Sequence, residues 1–229
     1  MNAQNMQYLK DQVKYMGFGD KADKAIEEAV KKGGKEFHIP LQIPYGGEKV
    51  SYDLSFKQGE KGDLYFFNNY KAVIDSAGGE KAQTFYVNKT ADSFTSKEAY
   101  NLLSGRAVNK LVDGTGEEKK NVWFQLNFDE KTEKGNYKFK QYQPGYGYNL
   151  QGTLDKLGVV NEKAEDREKL VRSLNKGNLE PVVVSRDGKM ENVAIAANPQ
   201  FKSLAVFDEN RKPLRMDLAD KKRDMKVGL

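Results

Sequence analysis

The chain has 229 residues, 38% of them hydrophobic and 31% charged, and it contains no cysteine. Length and apolar content exclude a disordered chain, and the missing thiols exclude disulfide scaffolds and thiolate metal sites. Thirty-eight Lys and Arg against 33 Asp and Glu leave a net charge of +5. That charge is well mixed along the chain, so it describes a solvated surface first and a polyanion-binding one second.

The N-terminus MNAQNMQYLKDQVKYMGFGD is amphipathic and lacks a basic segment followed by an apolar one, so no secretory signal is expected. Leu9, Val13 and Met16 share one helical face, and Gly17 and Gly19 stop that helix. A second helix begins near Asp20, carries Ala22, Ala25, Ile26, Ala29 and Val30, and ends at Gly33-Gly34 with the capping glycine at Gly34. The period then changes to two. Phe37, Ile39, Leu41 and Ile43 alternate with polar residues up to the turn Pro44-Tyr45-Gly46-Gly47, residues 50–56 return, and residues 64–67 give a third strand.

Residues 75–83, with Gly78-Gly79, read as a flexible joint, and Thr84-Phe85-Tyr86-Val87-Asn88 reads as a strand added to the unit that follows. Thr95 with Glu98 forms a capping box opening a helix that ends near Ser104-Gly105. Strands are expected at 107–112, 122–128 and 137–142, with a charged hairpin loop at 113–120 and a second joint at 143–152. Leu150, Leu154 and Leu157 followed by Gly158 repeat the spacing of Leu9, Val13, Met16 and Gly17. A charged helix over 163–174 ends at Gly177. Strands follow at 181–185, 190–197 and 204–207, turned by Asp187-Gly188 and Asn198-Pro199. The polar end of the chain is expected as a short helix or frayed.

These elements repeat. Val50, Tyr52, Leu54, Phe56 recur 72 residues on as Val122, Phe124, Leu126, Phe128, and more loosely as Val193, Ile195, Ala197. The expected fold is therefore α+β: three related modules, each a helix plus a three-stranded antiparallel meander, packed in tandem. Module 1 spans 1–75 (two helices, meander), module 2 spans 76–145 (extra strand, helix, meander), module 3 spans 146–215 (two helices, meander), and 216–229 is a polar tail.

The inventory for catalysis is thin. His38 is the only histidine, which excludes any triad or metal site needing two, and it falls in phase with the exposed positions Glu36 and Gln42. Acidic residues fall on helix faces, in turns or in the tail; Glu162, Glu165, Asp166 and Glu168 interleave with Lys163, Arg167 and Lys169 as on a solvated helix. Gly33-Gly34 follows a helix instead of preceding one, and neither it nor Pro144-Gly145-Tyr146-Gly147-Tyr148 matches a phosphate-binding fingerprint. No catalytic residue, metal or cofactor is expected, and the chain reads as a non-enzyme.

One segment suggests binding. Residues 137–148, Tyr-Lys-Phe-Lys-Gln-Tyr-Gln-Pro-Gly-Tyr-Gly-Tyr, interleave lysines with aromatic rings, as single-stranded nucleic-acid binders do; an edge strand with Tyr137 and Phe139 inward gives the same pattern by alternation alone. Trp123 is out of phase with Val122, Phe124 and Leu126 and is expected to point outward. The candidate contact residues are Trp123, Lys119, Lys120, Lys138, Lys140, Tyr142, Tyr146 and Tyr148.

Leu174-Asn175-Lys176-Gly177, Pro181-Val182-Val183, Asp187-Gly188-Lys189 and the run Ala197-Asn198-Pro199-Gln200-Phe201-Lys202-Ser203-Leu204-Ala205-Val206-Phe207-Asp208 resemble a module of Bacteroidetes proteins of unknown function. Those proteins are carried on conjugative elements, often near topoisomerase genes. Leu103-Ser104-Gly105-Arg106-Ala107-Val108 resembles another part of the same group. The likeness covers the last third of the chain well and the middle weakly. It implies a bacterial cytoplasmic accessory protein of a mobile element, and it brings no functional residue with it. The expectation is a cytoplasmic, non-enzymatic interaction module with a protein partner and no membrane contact; the alternative is single-stranded nucleic-acid binding by the basic-aromatic surface of module 2.

Overall fold

The computed structural model describes residues 3–60, 62, 64–76, 79–87, 93–114, 118–160, 163–186 and 188–214. Helix α1 (Ala3–Val13), a π-turn (Lys14–Phe18) and α2 (Asp23–Lys32) lead into β1 (Glu36–Tyr45), β2 (Glu48–Gln58), β3 (Tyr65–Ser76) and β4 (Gly79–Tyr86). Helix α3 (Ser96–Leu103) leads into β5 (Val108–Asp113), β6 (Lys119–Lys131) and β7 (Tyr137–Tyr142). A 3-10 turn (Pro144–Tyr146), α4 (Leu150–Leu157) and α5 (Ala164–Asn175) lead into β8 (Glu180–Arg186), β9 (Lys189–Asn198), β10 (Ser203–Phe207) and the short β11 (Pro213–Leu214). The protein is α+β. Its strands form three antiparallel sheets of four, three and four strands, each in sequence order.

The helix ends follow from glycine. Gly33, Gly105 and Gly177 all take positive φ just past α2, α3 and α5, so the repeat of left-handed caps is 72 residues at both steps. The first cap is Gly33 (φ 72°), whose N–H bonds the Val30 carbonyl, and not Gly34 as the sequence reading has it. Leu9, Val13 and Met16, and likewise Leu150, Leu154 and Leu157, are the buried faces of their helices.

Four further expectations change. Residues 84–88 are not an addition to the middle unit: through Tyr86 they belong to β4, which pairs with β3 from Ser76↔Gly79 to Asn69↔Tyr86 and gives the first sheet a fourth strand, while Asn88 lies outside the described residues. Of the joint expected at 75–83, residues 75–76 end β3 and 79–83 belong to β4, while 77–78 lie outside the described residues. The second joint, 143–152, is a pinned turn, where the Tyr146 hydroxyl donates to the Gln200 carbonyl at 2.8 Å and the Asn149 side chain caps α4 by accepting from Gly152 N–H at 3.0 Å. After β10 the chain turns and adds β11 at Val206↔Leu214, where a helix or frayed end was expected; 215–229 lies outside the described residues.

Two cores form. The first gathers α1, the π-turn, α2, the first sheet and α3, and takes Val108, Leu126 and Tyr137 from the middle sheet, with Phe124, Phe128 and Phe139 packed against it. The second gathers α4, α5 and the third sheet, and takes Ala107 and Trp123 from the middle sheet, with Tyr142 and Tyr148 packed against it. The middle sheet therefore has one face in each core.

Polar side chains stitch the units where backbone pairing stops. Tyr52 donates to the Ser96 carbonyl at 2.8 Å and Tyr70 to the Phe94 carbonyl at 2.5 Å, fixing the start of α3 on the first sheet. Burial raises the pKa of both hydroxyls. Gln83 on β4 behaves like a strand neighbour of β7: its Oε1 accepts from Tyr137 N–H at 2.8 Å and its Nε2 donates to the Tyr137 carbonyl at 3.3 Å, while Thr84 N–H donates to Asn136 Oδ1 at 3.0 Å. The second seam is built on Asn101, 1% exposed. Its Nδ2 donates to the Lys176 carbonyl at 2.7 Å and to Asn178 Oδ1 at 2.9 Å, and its Oδ1 accepts from Arg106 at 2.6 Å; Arg106 Nε also reaches the Gly177 carbonyl at 2.8 Å.

Candidate interaction site on the middle sheet

Every exposed sheet edge is a row of unpaired N–H and C=O groups that invites another strand, and proteins blunt such edges. Which residues face outward follows from the ladder. Gln58 N–H bonds the Lys35 carbonyl, so on β1 the odd-numbered residues bond β2 and the even ones face out. Pro40 and Pro44 are even, and each removes an outward donor. On β8 the outward residues include Pro181; beyond it Ser185 N–H bonds the Gly158 carbonyl and Val160 N–H bonds the Val183 carbonyl. The edges of β4 and β7 meet at Thr84 and Tyr137, where Gln83 and Asn136 join them, and β11 has two residues.

The edge of β5 carries none of these devices. Gly114 N–H bonds the Glu118 carbonyl, so Val112, Lys110 and Val108 bond β6, and Asn109, Leu111 and Asp113 turn their N–H and C=O groups away from the sheet. None of these three residues makes a backbone hydrogen bond at that edge among the described residues. Leu111 is 42% exposed, an apolar side chain in the polar phase of its strand. Among the described residues the near end is covered, where the α5 cap packs Gly177 on the Ala107 carbonyl.

A groove of about 800 Å³ opens beside this edge, lined by Asn109, Glu118, Lys119, Lys120, Asn121, Trp123, Tyr142, Tyr148 and the 143–145 turn. The register explains its composition. Asp113 pairs with Lys119, Leu111 with Asn121, and Asn109 with Trp123 and then Tyr142, so these side chains share one face of the sheet. Five of the eight residues singled out from the sequence thus meet at one place: Lys119, Lys120, Trp123, Tyr142 and Tyr148.

Trp123 is not the outward ring it was expected to be. It does occupy the face opposite Val122, Phe124 and Leu126, but that face is covered by the third unit: Trp123 is 7% exposed and its ring meets Tyr148 edge-on at 5.3 Å. The Tyr148 hydroxyl is pushed up to about 12 by burial, which Thr153 and the backbone of Asn198 partly oppose. Tyr146 is tied to the third unit, with Lys202 4.6 Å over its ring. Lys140 and Lys138 continue the Trp123 face away from the groove, opposite Gln125 and Asn127. Lys138 is ion-paired with Glu130 at 2.9 Å and holds that carboxyl below its ordinary pKa.

The sequence reading did not find the edge residues Asn109, Leu111 and Asp113. The available signal was Leu111 itself, out of phase in a strand without proline.

His38 is exposed on β1, with Nδ1 3.0 Å from Asp53. Among the described residues no group of three His, Asp or Glu could hold a metal ion, and no helix is long and apolar enough to cross a membrane. Two other grooves, between α2 and β1 and between α5 and β8, run beside the edges that proline blunts. Comparison of the chain with protein-family models, with curated proteins and with solved structures finds no match.

Proposed function

We propose that this protein is a non-enzymatic interaction module that accepts an extended segment of polypeptide on the edge of β5. One observation carries this reading: among the described residues β5 is left open over Asn109, Leu111 and Asp113, while the edges of the first and third sheets are interrupted by proline, paired or short. A strand laid there would satisfy three residues' worth of backbone groups, and its alternate side chains would enter the groove beside Trp123 and Tyr142. Lys119 shares the face of Trp123 and Tyr142, with Glu118 and Lys120 flanking it, so an acidic side chain placed at Lys119 beside an apolar one at Trp123 suits the groove. If the resemblance to mobile-element proteins reflects ancestry, such a module would serve as an accessory protein there.

The nucleic-acid reading has less to stand on. Stacking needs ring faces, and Trp123 and Tyr148 spend theirs on the second core while Tyr146 carries Lys202. Lys119, Lys120, Lys140 and Tyr142 remain, too few for a strand-long basic track.

Selection from a displayed library of random extended peptides tests the proposal. The expected result is enriched peptides carrying an acidic and an apolar residue two positions apart that bind Leu111→Pro at least about tenfold more weakly, since proline removes the central outward donor. Enriched peptides that bind Leu111→Pro equally well, or no enrichment at all, would overturn it.

A further inference from the structure

The open edge is complementary to itself. Resting on the strand-accepting reading above, we propose that its partner is β5 of a second copy of this chain, paired antiparallel about a two-fold axis at Leu111. In that register Leu111 meets the partner's Leu111, Asn109 meets the partner's Asp113, and Asp113 meets the partner's Asn109. All three are outward-facing residues, so each pair exchanges both backbone hydrogen bonds. The exposed leucine is buried against its equivalent, and each Asp113 carboxylate gains an amide donor.

Charge, the burial of Leu111 and access to the edge select this register from its neighbours. An axis at Lys110 sets two ammonium groups opposite each other, and one at Asp113 does the same with two carboxylates. An axis at Val112 places Leu111 against the partner's Asp113. An axis at Asn109 drives the partner's strand under the turn that seats Gly177 on Ala107. The axis at Leu111 opposes no like charges and sets leucine against leucine, and Lys110, already held by Glu98 at 3.1 Å, faces the partner's Val112.

The paired strands join two three-stranded sheets into one of six. Because the axis stands perpendicular to the sheet, both grooves open on the same side. The row Tyr142, Trp123, Asn109 then continues into the partner's Asp113 and the partner's Lys119, so the second copy completes the groove wall beyond Asn109.

Light scattering and sedimentation of the full chain across concentrations up to about 1 mM test this. The mass should rise from 25.9 kDa toward twice that value. Leu111→Pro should weaken association at least about tenfold. Asn109→Asp, which sets a carboxylate opposite the partner's Asp113, should do likewise, and adding Asp113→Asn should restore association by exchanging the two partners. That rescue stands even if Leu111→Pro fails to fold. A dimer indifferent to these changes, or one not rescued by the double change, overturns the proposal. A wild-type chain that stays at 25.9 kDa also overturns it, and leaves the strand-accepting reading to the peptide selection.

Discussion

Gly177→Ala is expected to destabilise the protein by about 2–4 kcal/mol, lowering the melting temperature by roughly 5–15 °C for a chain of this size. Two terms add. Gly177 has φ 76°, where a β-carbon costs about 1 kcal/mol. That carbon would also lie 2.7 Å from the Ala107 carbonyl oxygen and 2.9 Å from Val108 Cγ2, so the backbone of β5 must move. The repeat supplies its own controls. Gly33 has nearly the same φ and nothing within 4 Å of an added β-carbon, and Gly105 meets only Phe128 at an ordinary 3.6 Å. Gly33→Ala and Gly105→Ala should therefore cost about 1 kcal/mol each. Three equal losses in thermal or denaturant unfolding would show that the third unit is not seated on β5 as described.

Asn101→Ala should cost about 3–4 kcal/mol, because the side chain is the knot between the middle and third units. Its removal leaves the Lys176 carbonyl, Asn178 and the Arg106 guanidinium short of partners in a site closed to water. Arg106 is the expensive orphan. Burial already pushes its pKa down, opposed by Tyr100, whose ring lies 5.1 Å from the guanidinium, and by Glu48. The Tyr100 hydroxyl in turn donates to Glu48 on β2 at 2.9 Å, so a single chain of contacts runs from the first sheet through α3 to the third unit. Denaturant unfolding of Asn101→Ala, Asn178→Ala and the double variant should give a combined loss smaller than the sum of the two, since they share a hydrogen bond. Strict additivity would mean that the knot is not formed.

Local periodicity was sufficient for most elements because each is set by its own side chains. The buried faces of α1 and α4, the capping box before α3, the glycines after α3 and α5 and the whole of β7 could be read directly. What failed was everything decided by a distant partner. A glycine-containing polar stretch reads as a linker from its composition, and only pairing with β3 makes 79–86 part of the first sheet. Trp123 shows the same limit at the site. Its phase on β6 was legible, but the body that covers its face comes from residues 142–206, and nothing near Trp123 announces it. The open edge of β5 was hidden for a related reason. Edge position belongs to the sheet, not to the strand, and Pro40, Pro44 and Pro181 acquire their meaning only once the ladder shows which way their missing N–H groups would point.

Amide hydrogen exchange resolved by residue on the dilute full-length chain tests the open edge of β5 most directly. Lys110 and Val112, bonded to β6, should exchange slowly, while Asn109, Leu111 and Asp113 exchange as freely as surface amides, so protection alternates along the strand. Raising the protein concentration, or adding a selected peptide, should slow those three amides at least about tenfold and leave the alternate two unchanged. Protection of all five at high dilution would mean that the edge is already covered and would contradict the account.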